Sequence, residues 1–568
     1  MNNKESFYLT TPIYYVNAAP HLGTAYSTVA ADALARFMRI TGKDTWFLTG
    51  LDEHGQKIAQ TAEAEGKTPQ AWVDEVAPQF KAAWEALDIH YDDFIRTTEP
   101  RHIRGVQKFF ETLHDKGFIY KDVYEGYYCV SEETFFSDEQ LAEFAEARAA
   151  EGLPSTQDDG SPLCPDCHRP LSFVQEENLF FKLSAFEQPL LDYYEANPDF
   201  IQPAIRRNEV ISFVKSGLRD LSVSRASFDW GVPIPFAPGH VSYVWVDALI
   251  NYITAVGYGS NDPADQEMFA RRWPAQLHLI GKDIIRFHCV IWPAMLMAAD
   301  LALPHKVFAH GFLLTKGEKM SKSKGNAMDP LALARTFSVD GYRYYFLSDV
   351  QFGSDGSVSL ERMLQVYNAD LANSWGNLCS RALNMMAKYL DATTPNLWEK
   401  TVKRLTQERG NPLAALVEGG LQSRYAAAFA REDYSAALAV VMELVDAANL
   451  YIEQSAPWKL AKAAAAEAEE ARGRGEDPVE AEEKAKAPTQ ADHLAFVLYN
   501  VLESMRIAAL LFAPVMPETS AEVWRRLGLD ALFSVDDQAA ACVWGGLPAG
   551  LATTVGTPLF MRLSEDDI

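Results

Sequence analysis

The sequence predicts an α/β protein: a parallel sheet split by an insertion domain and followed by an α-helical bundle. Three observations predict it. Strand, loop and helix patterns alternate over residues 5–117 and again over 241–325, as parallel strands joined by crossover helices require. Residues 118–240 are rich in aromatics and turn formers, hold three of the six cysteines and break that alternation. After residue 326 strand patterns nearly vanish and long amphipathic stretches take over, which predicts a bundle.

Element by element, Ser6 to Thr11 reads as a strand and Pro12 to Pro20 as a loop. A helix follows from about His21 to Ile40, with Ala25, Val29, Ala33 and Phe37 on one face, and stops at Gly42. A second strand, Asp44 to Thr49, precedes helices over 68–87 and 101–116. In the second half, Gln276–Ile280 and Lys306–Ala309 read as strands, with one helix from Asp283 to Ala299 between them. Helices are expected over 361–390, 411–430, 432–455 and 490–512. The domain reading is 1–117 and 241–325 for the split sheet, 118–240 for the insertion, and 326–370 for a connecting domain. The bundle is 371–530, and 531–568 is a tail. Within the bundle, 461–488 is Ala, Glu and Lys with almost no large apolar residue, a solvated helix or a loop rather than core.

Composition bounds the function. The 568 residues are 48 % hydrophobic, enough for several cores. No apolar run reaches the length of a membrane span, so no membrane partner is expected. The start lacks the apolar stretch of a signal peptide, and six cysteines suit a reducing compartment, so a cytoplasmic protein is expected. A net charge of −26 argues against a basic average. It leaves room for a local basic face on which nucleic acid binds.

Two short stretches carry chemistry. His21-Leu22-Gly23-Thr24 follows a strand and opens a helix, where unpaired N–H groups and the positive dipole end suit phosphate. A His there donates to a phosphate oxygen, and Gly23 lets a flat base approach the backbone. Lys319-Met320-Ser321-Lys322-Ser323 lies between Gly317 and Gly325. Two Lys among small hydroxyl residues on a Gly-bounded loop suit closure over a triphosphate, with charge building on a leaving pyrophosphate. Lys322 is the main contributor and Lys319 the helper.

In this order the two stretches resemble the ATP-handling signatures, His-x-Gly-His and Lys-Met-Ser-Lys-Ser, of the class I aminoacyl-tRNA synthetases. The first departs at Thr24, where the family has a second His; Thr retains a hydroxyl but carries no charge. Thr11 to Asn17, Thr49-Gly50-Leu51-Asp52-Glu53-His54-Gly55, Tyr243 to Ala248 and Gly281-Lys282-Asp283-Ile284 resemble the methionine-specific branch, over residues 6 to about 520. The resemblance implies a Rossmann-type catalytic domain that forms a methionyl-adenylate from methionine and ATP, with Mg²⁺, and passes it to tRNA(Met). It implies Asp52 at the substrate ammonium. It implies a side-chain slot of Ile13, Tyr15, Trp245, Ala248, Tyr252, Ile284, His288 and Trp292. A thioether suits such a lining, at about 0.3–1.5 kcal/mol per sulfur–aromatic contact. Ile284, His288 and Trp292 at i, i+4 spacing are expected on one helix face. Gly281 and Asp283 fall at the ribose, and His310 and Gly311, as far as Leu313, at the adenine. Both follow strand ends, the edge at which open parallel sheets bind ligands.

Cys164-Pro165-Asp166-Cys167 resembles half a zinc knuckle. Cys129 matches the other half, but its expected partner is replaced by Glu132; His168 is the alternative fourth ligand. The readings are a structural zinc, closed by protein ligands, or a metal-free relic. In the helical half, Asn377 and Arg381 share a face at i, i+4. Trp458 follows Pro457 at a corner. The helical half resembles the family's anticodon-binding bundle, and the resemblance implies anticodon recognition by these three, with stacking on an unpaired base at about 1–3 kcal/mol. The chain ends without the appended barrel by which some family members dimerise, so a monomer is expected. The competing readings are a synthetase for another amino acid and a non-catalytic tRNA-binding protein. The branched-chain enzymes carry a longer insertion, and intact Asp52 and Lys322 argue against loss of catalysis.

Overall fold

The computed structural model describes residues 4–17, 19–130, 134–136, 138–157, 159–315, 318–319, 328–397, 399–474 and 487–568. It divides into two compact units. The first comprises Ser6–Ala31 and Thr45–His310; the second comprises residues 32–44 and 311–568, with the N-terminal residues as far as Glu5.

In chain order the first unit contains β1 (Ser6–Tyr15), β2 (Asp44–Asp52), β3 (Asp93–Arg96), β4 (Ile119–Cys129), β5 (Thr134–Phe136), β6 (Ser172–Phe181), β7 (Ile201–Gln202), β8 (Leu221–Ser222), β9 (Ser224–Arg225), β10 (Val241–Ser242), β11 (Leu277–Gly281) and β12 (Val307–His310). Its central sheet has six strands in the order β3-β2-β1-β11-β12-β7. Leu9 faces Leu277 and Leu279 faces Phe308, both in parallel register. Every residue of β11 and β12 is buried, as in a sheet covered on both faces. The chain runs outward from β1 to β2 and β3 on one side, and β11, β12 and β7 lie on the other. The direction changes between β1 and β11, so a crevice opens there at the carboxyl ends of the strands, the place where doubly wound sheets bind ligands.

The insertion is antiparallel, in the order β5-β4-β6-β8. Within the 118–240 span the chain returns to the central sheet once, at β7, which pairs with β12.

Three local expectations are corrected. Strand β1 does not stop at Thr11 but continues through Pro12 to Tyr15, since proline's fixed φ is compatible with extended backbone and it lacks only a donor. Helix Gln56–Ala64 and strand β3 were not foreseen; both are short. The helix expected from Asp283 to Ala299 is a 3₁₀ turn (Lys282–Ile284), a π turn (Phe287–Ile291) and an α-helix (Trp292–Ala298). Pro293 has no N–H to give to the carbonyl of Cys289, and the Tyr194 hydroxyl donates to that carbonyl instead.

In the second unit, β13 (Leu313–Thr315), β14 (Glu318–Lys319) and β15 (Gly356–Ser357) form a small sheet in the order β14-β13-β15. The remainder is helical. Leu360–Val366, Asn377–Tyr389, Gln422–Phe429, Tyr434–Ser455, Pro457–Gly473 and Gln490–Phe512 are α-helices. Tyr367–Gly376 and Val417–Leu421 are π turns. The Ala-rich segment is helical as far as Gly473; residues 475–486 lie outside the described residues. Tyr434–Ser455 and Gln490–Phe512 are long and apolar enough to cross a membrane, which corrects the expectation that no run is. In Gln490–Phe512, 89 % of the apolar window is buried inside the protein; it is the axis of the bundle. The tail is tied to that axis. Buried Glu503 pairs with Arg506 and accepts from the N–H groups of Gly545, Gly546 and Leu547.

Candidate active site

The first unit assembles its site at the switch point. His21 caps its own helix, Leu22–Ile40, denoted α1. Its Nδ1 accepts from the N–H of Gly23 at 3.1 Å and of Thr24 at 3.3 Å. An Nδ1 that accepts leaves the ring proton on Nε2, so the ring carries a donor at its outer nitrogen. A Cβ at Gly23 would come within 3.1 Å of His21 Cε1, so a larger residue there would press on the ring. Thr24 turns inward: its hydroxyl donates to the His21 carbonyl at 2.7 Å and accepts from the His21 N–H at 3.1 Å. Position 24 thus works as part of the cap.

One turn further along α1, Ser27 Oγ lies 2.6 Å from His310 Nε2. The ring of Tyr26 stands edge-on to His310 at 5.4 Å. A Cβ at Gly281 would meet Asp283 Oδ1 at 2.5 Å and His310 Cε1 at 3.8 Å. The ends of β11 and β12 therefore bring Gly281, Asp283 and His310 together with the start of α1. Gly311 belongs to the second unit. A Cβ there would come 2.2 Å from the Ser354 backbone, a close approach that only glycine allows.

Asp52 ends β2 and is 2 % exposed. The segment that follows it is fixed on both sides. Glu53 takes Arg96 Nε at 2.6 Å and the Thr98 hydroxyl. Burial raises the pKa of Glu53, and the Arg96 and Thr98 hydrogen bonds oppose the rise. His54 Nδ1 lies 2.7 Å from Asp247 Oδ2, and His102 Nε2 lies 2.9 Å from Asp247 Oδ1. Burial alone would raise the Asp247 pKa, but the two imidazoles bring it down to about 2. Trp230 Nε1 donates to the Glu53 carbonyl at 2.6 Å, and the Gly55 N–H donates to the Trp230 carbonyl at 3.1 Å.

The aromatic slot is graded from rim to floor. Ile13, Tyr15, Trp245 and Ile284 are partly buried and pack on the core. Tyr15 stands edge-on to Trp245 at 6.0 Å, and Trp245 stacks on Phe287 at 4.1 Å. Deeper lie Ala248, Tyr252 and His288. The Tyr252 hydroxyl is 2.7 Å from His288 Nε2, and His288 Nδ1 is 3.0 Å from the Ile284 carbonyl. A carbonyl only accepts, so Nδ1 holds the proton and Tyr252 donates to Nε2. Burial pushes His288 down to about 4 and His278, behind it, below its ordinary value. The slot is thus uncharged at neutral pH and suits an apolar side chain. Trp292 is fully buried, its ring among those of Tyr252, Phe109 and Trp273. The expectation that Ile284, His288 and Trp292 share an α-helical face is corrected by the π turn. It winds more residues per turn than an α-helix.

A cavity of about 240 Å³ lined by Trp46, Asp93, Arg101, Tyr258 and Asp265 lies at the opposite, amino ends of β2 and β3. Arg101 is already spent on Asp93 and Glu99.

In the insertion, Cys129, Cys164 and Cys167 bring their sulfurs within 4.8 Å of one another. Cys129 Sγ and Cys167 Sγ are 3.5 Å apart. The hydrogen bond with Cys129 and burial raise the Cys164 thiol, while backbone N–H groups of Cys167 and Asp166 oppose the rise. Glu132 lies outside the described residues. His168 does not join the cluster; its ring stacks on Phe144 at 5.8 Å.

In the second unit, exposed Asn377 begins helix Asn377–Tyr389. Arg381 Nη2 pairs with Glu453 at 2.5 Å. Glu453 lies on the helix that ends at Ser455, before left-handed Ala456 and half-exposed Trp458. Lys322 and the side chain of Lys319 lie outside the described residues.

Ser27, Phe287, His54, Asp247 and His102 were missed as site residues. His54 and Asp247 stand inside the stretches that suggested the site, two residues beyond Asp52 and Trp245; the signal was present but assigned no role.

Sheet order and switch-point crevice define a doubly wound α/β protein. A family model described as tRNA synthetases class I (M) matches residues 7–383. Methionine--tRNA ligase of Streptomyces coelicolor is 45 % identical, over 99 % of this chain and 97 % of its own. That of Caldanaerobacter subterraneus subsp. tengcongensis is 46 % identical, over 99 % and 80 %. Mycobacterium tuberculosis methionyl-tRNA synthetase in complex with methionyl-adenylate is similar in structure. Its TM-score is 0.84 at 42 % identity, covering 98 % of this chain and 99 % of that one. The chain belongs to the class I tRNA synthetases, in the methionine--tRNA ligase family.

Proposed function

We propose that this protein ligates methionine to its tRNA, using ATP and passing through methionyl-adenylate with release of pyrophosphate and AMP. The observation that carries the reading is the convergence at one sheet edge of Asp52, an uncharged aromatic slot and the helix start at His21. Asp52 holds the substrate ammonium and leaves the carboxylate free to attack the α-phosphorus. Tyr15, Trp245 and His288 exclude water and receive the thioether. His21 Nε2–H donates to the phosphates, while Gly281, Asp283 and His310 receive the nucleoside. Lys322, helped by Lys319, neutralises the leaving pyrophosphate. Mg²⁺ enters with ATP as part of the substrate.

Asn377, Arg381 and Trp458 read the anticodon: Asn and Arg at base edges, Trp458 by stacking. A monomeric, cytoplasmic enzyme completes the reading.

Amino-acid-dependent ATP–pyrophosphate exchange across the twenty amino acids tests it. Exchange with methionine alone is the expected result. Exchange with another amino acid overturns the slot, and exchange with none overturns the reaction.

The three thiols fit a structural zinc, held by Cys129, Cys164 and Cys167 with Glu132 as fourth ligand. Zinc there would tie β4 to the 164–167 turn. Metal analysis of protein purified from zinc-replete cells is expected to give about one zinc per chain, lost in Cys164→Ser; a metal-free, fully active protein would favour the relic.

A further inference from the structure

We propose that Asp247 is a positioning residue that sets the distance between the ammonium anchor and the side-chain slot. The inference rests on the reading of Asp52 as that anchor.

Asp247 is fully buried in the first turn of helix Val244–Thr254. That helix also carries Trp245, Ala248 and Tyr252, so Asp247 moves with the slot. One carboxylate oxygen takes His54, two residues beyond Asp52; the other takes His102, on helix Pro100–Asp115. The remaining ring nitrogen of His102, Nδ1, lies 2.8 Å from Thr254 Oγ1, at the far end of the slot helix. Asp247 is therefore the node at which the Asp52 segment, the slot helix and a third helix meet. The ring of His54 also stands edge-on to Trp230 at 5.4 Å. With Trp230 bonded to Glu53 and Gly55, the segment after Asp52 has no slack. A carboxylate accepts one N–H from each imidazole. Asparagine has one acceptor and presents N–H donors to the other ring, so one imidazole must change tautomer or lose its bond.

The test compares two probes by titration calorimetry. One is L-methionine. The other is its deaminated analogue, which keeps thioether and carboxyl but offers Asp52 nothing. For Asp247→Asn, methionine Kd is expected to rise about ten- to a hundred-fold, the scale on which a displaced positioning contact acts. The analogue's Kd and the ATP KM are expected to stay at the wild-type values. His54→Phe keeps a ring against Trp230 and the His102 bond to Asp247. It is expected to show the same split and serves if Asp247→Asn does not fold. Equal loss for both probes means a merely structural residue and overturns the proposal, as does no loss for either. A wild-type protein that binds no methionine overturns the functional reading itself.

Discussion

Asp52→Ala is expected to lower kcat/KM for methionine-dependent pyrophosphate exchange by roughly two to four orders of magnitude, without changing the melting temperature. Removing one partner of a buried ion pair costs about 3–5 kcal/mol, and each 1.36 kcal/mol is about tenfold in rate. The loss falls on the substrate complex because the segment that carries Asp52 is held by its neighbours. Glu53 and His54 anchor the segment through Arg96 and Asp247. Asp52→Asn, which keeps the shape, should lose nearly as much, since the charge is what pairs with an ammonium. Exchange at the wild-type rate by well-folded Asp52→Ala would remove Asp52 from the site.

The second large effect is at His21. Asparagine offers a side-chain oxygen that accepts from the Gly23 and Thr24 N–H groups, as Nδ1 does now, and Asn is a good cap. It lacks the outward ring donor. His21→Asn is therefore expected to keep the thermal transition and lose about 10²–10³ in kcat, the usual cost of one missing donor to a transition state. His21→Ala should lose activity to a similar extent and stability as well, by about 1 kcal/mol for the cap. The two variants separate the jobs that a single ring performs. Equal melting temperatures for both would show that the cap contributes nothing; full activity in His21→Asn would show that Nε2–H is not used.

Much of this was legible in the sequence, for a physical reason. Apolar periodicity reports burial, so Ala25, Val29, Ala33 and Phe37 fell on the buried face of α1; the helices expected over 432–455 and 490–512 fell close to their ranges, while those over 361–390 and 411–430 are each interrupted by a π turn. Asp52, Tyr15 and Trp245 were singled out because their neighbours resemble a known branch. What escaped was tertiary. The bonds from His54 and His102 to Asp247 span 193 and 145 residues, and no local pattern encodes them. Thr24 reads as a lost charge until the backbone shows its hydroxyl knitted to His21. Ile201–Gln202 is too short to stand out as a sheet strand inside a span of turns and aromatics. The broken helix after Asp283 escaped because Pro293 announces a defect without saying which kind.

That defect has a consequence for how side chains can be repositioned. A π turn holds one residue more than the α turn it replaces, and one residue of α-helix is about 100° of rotation. Excising a single position from Phe287–Ile291 would remove that side chain and turn the residues on one side of the cut by about 100° relative to those on the other. In this segment the placement of side chains depends on chain length as much as on residue identity. A one-codon deletion repositions them in a way that no scan of substitutions would sample.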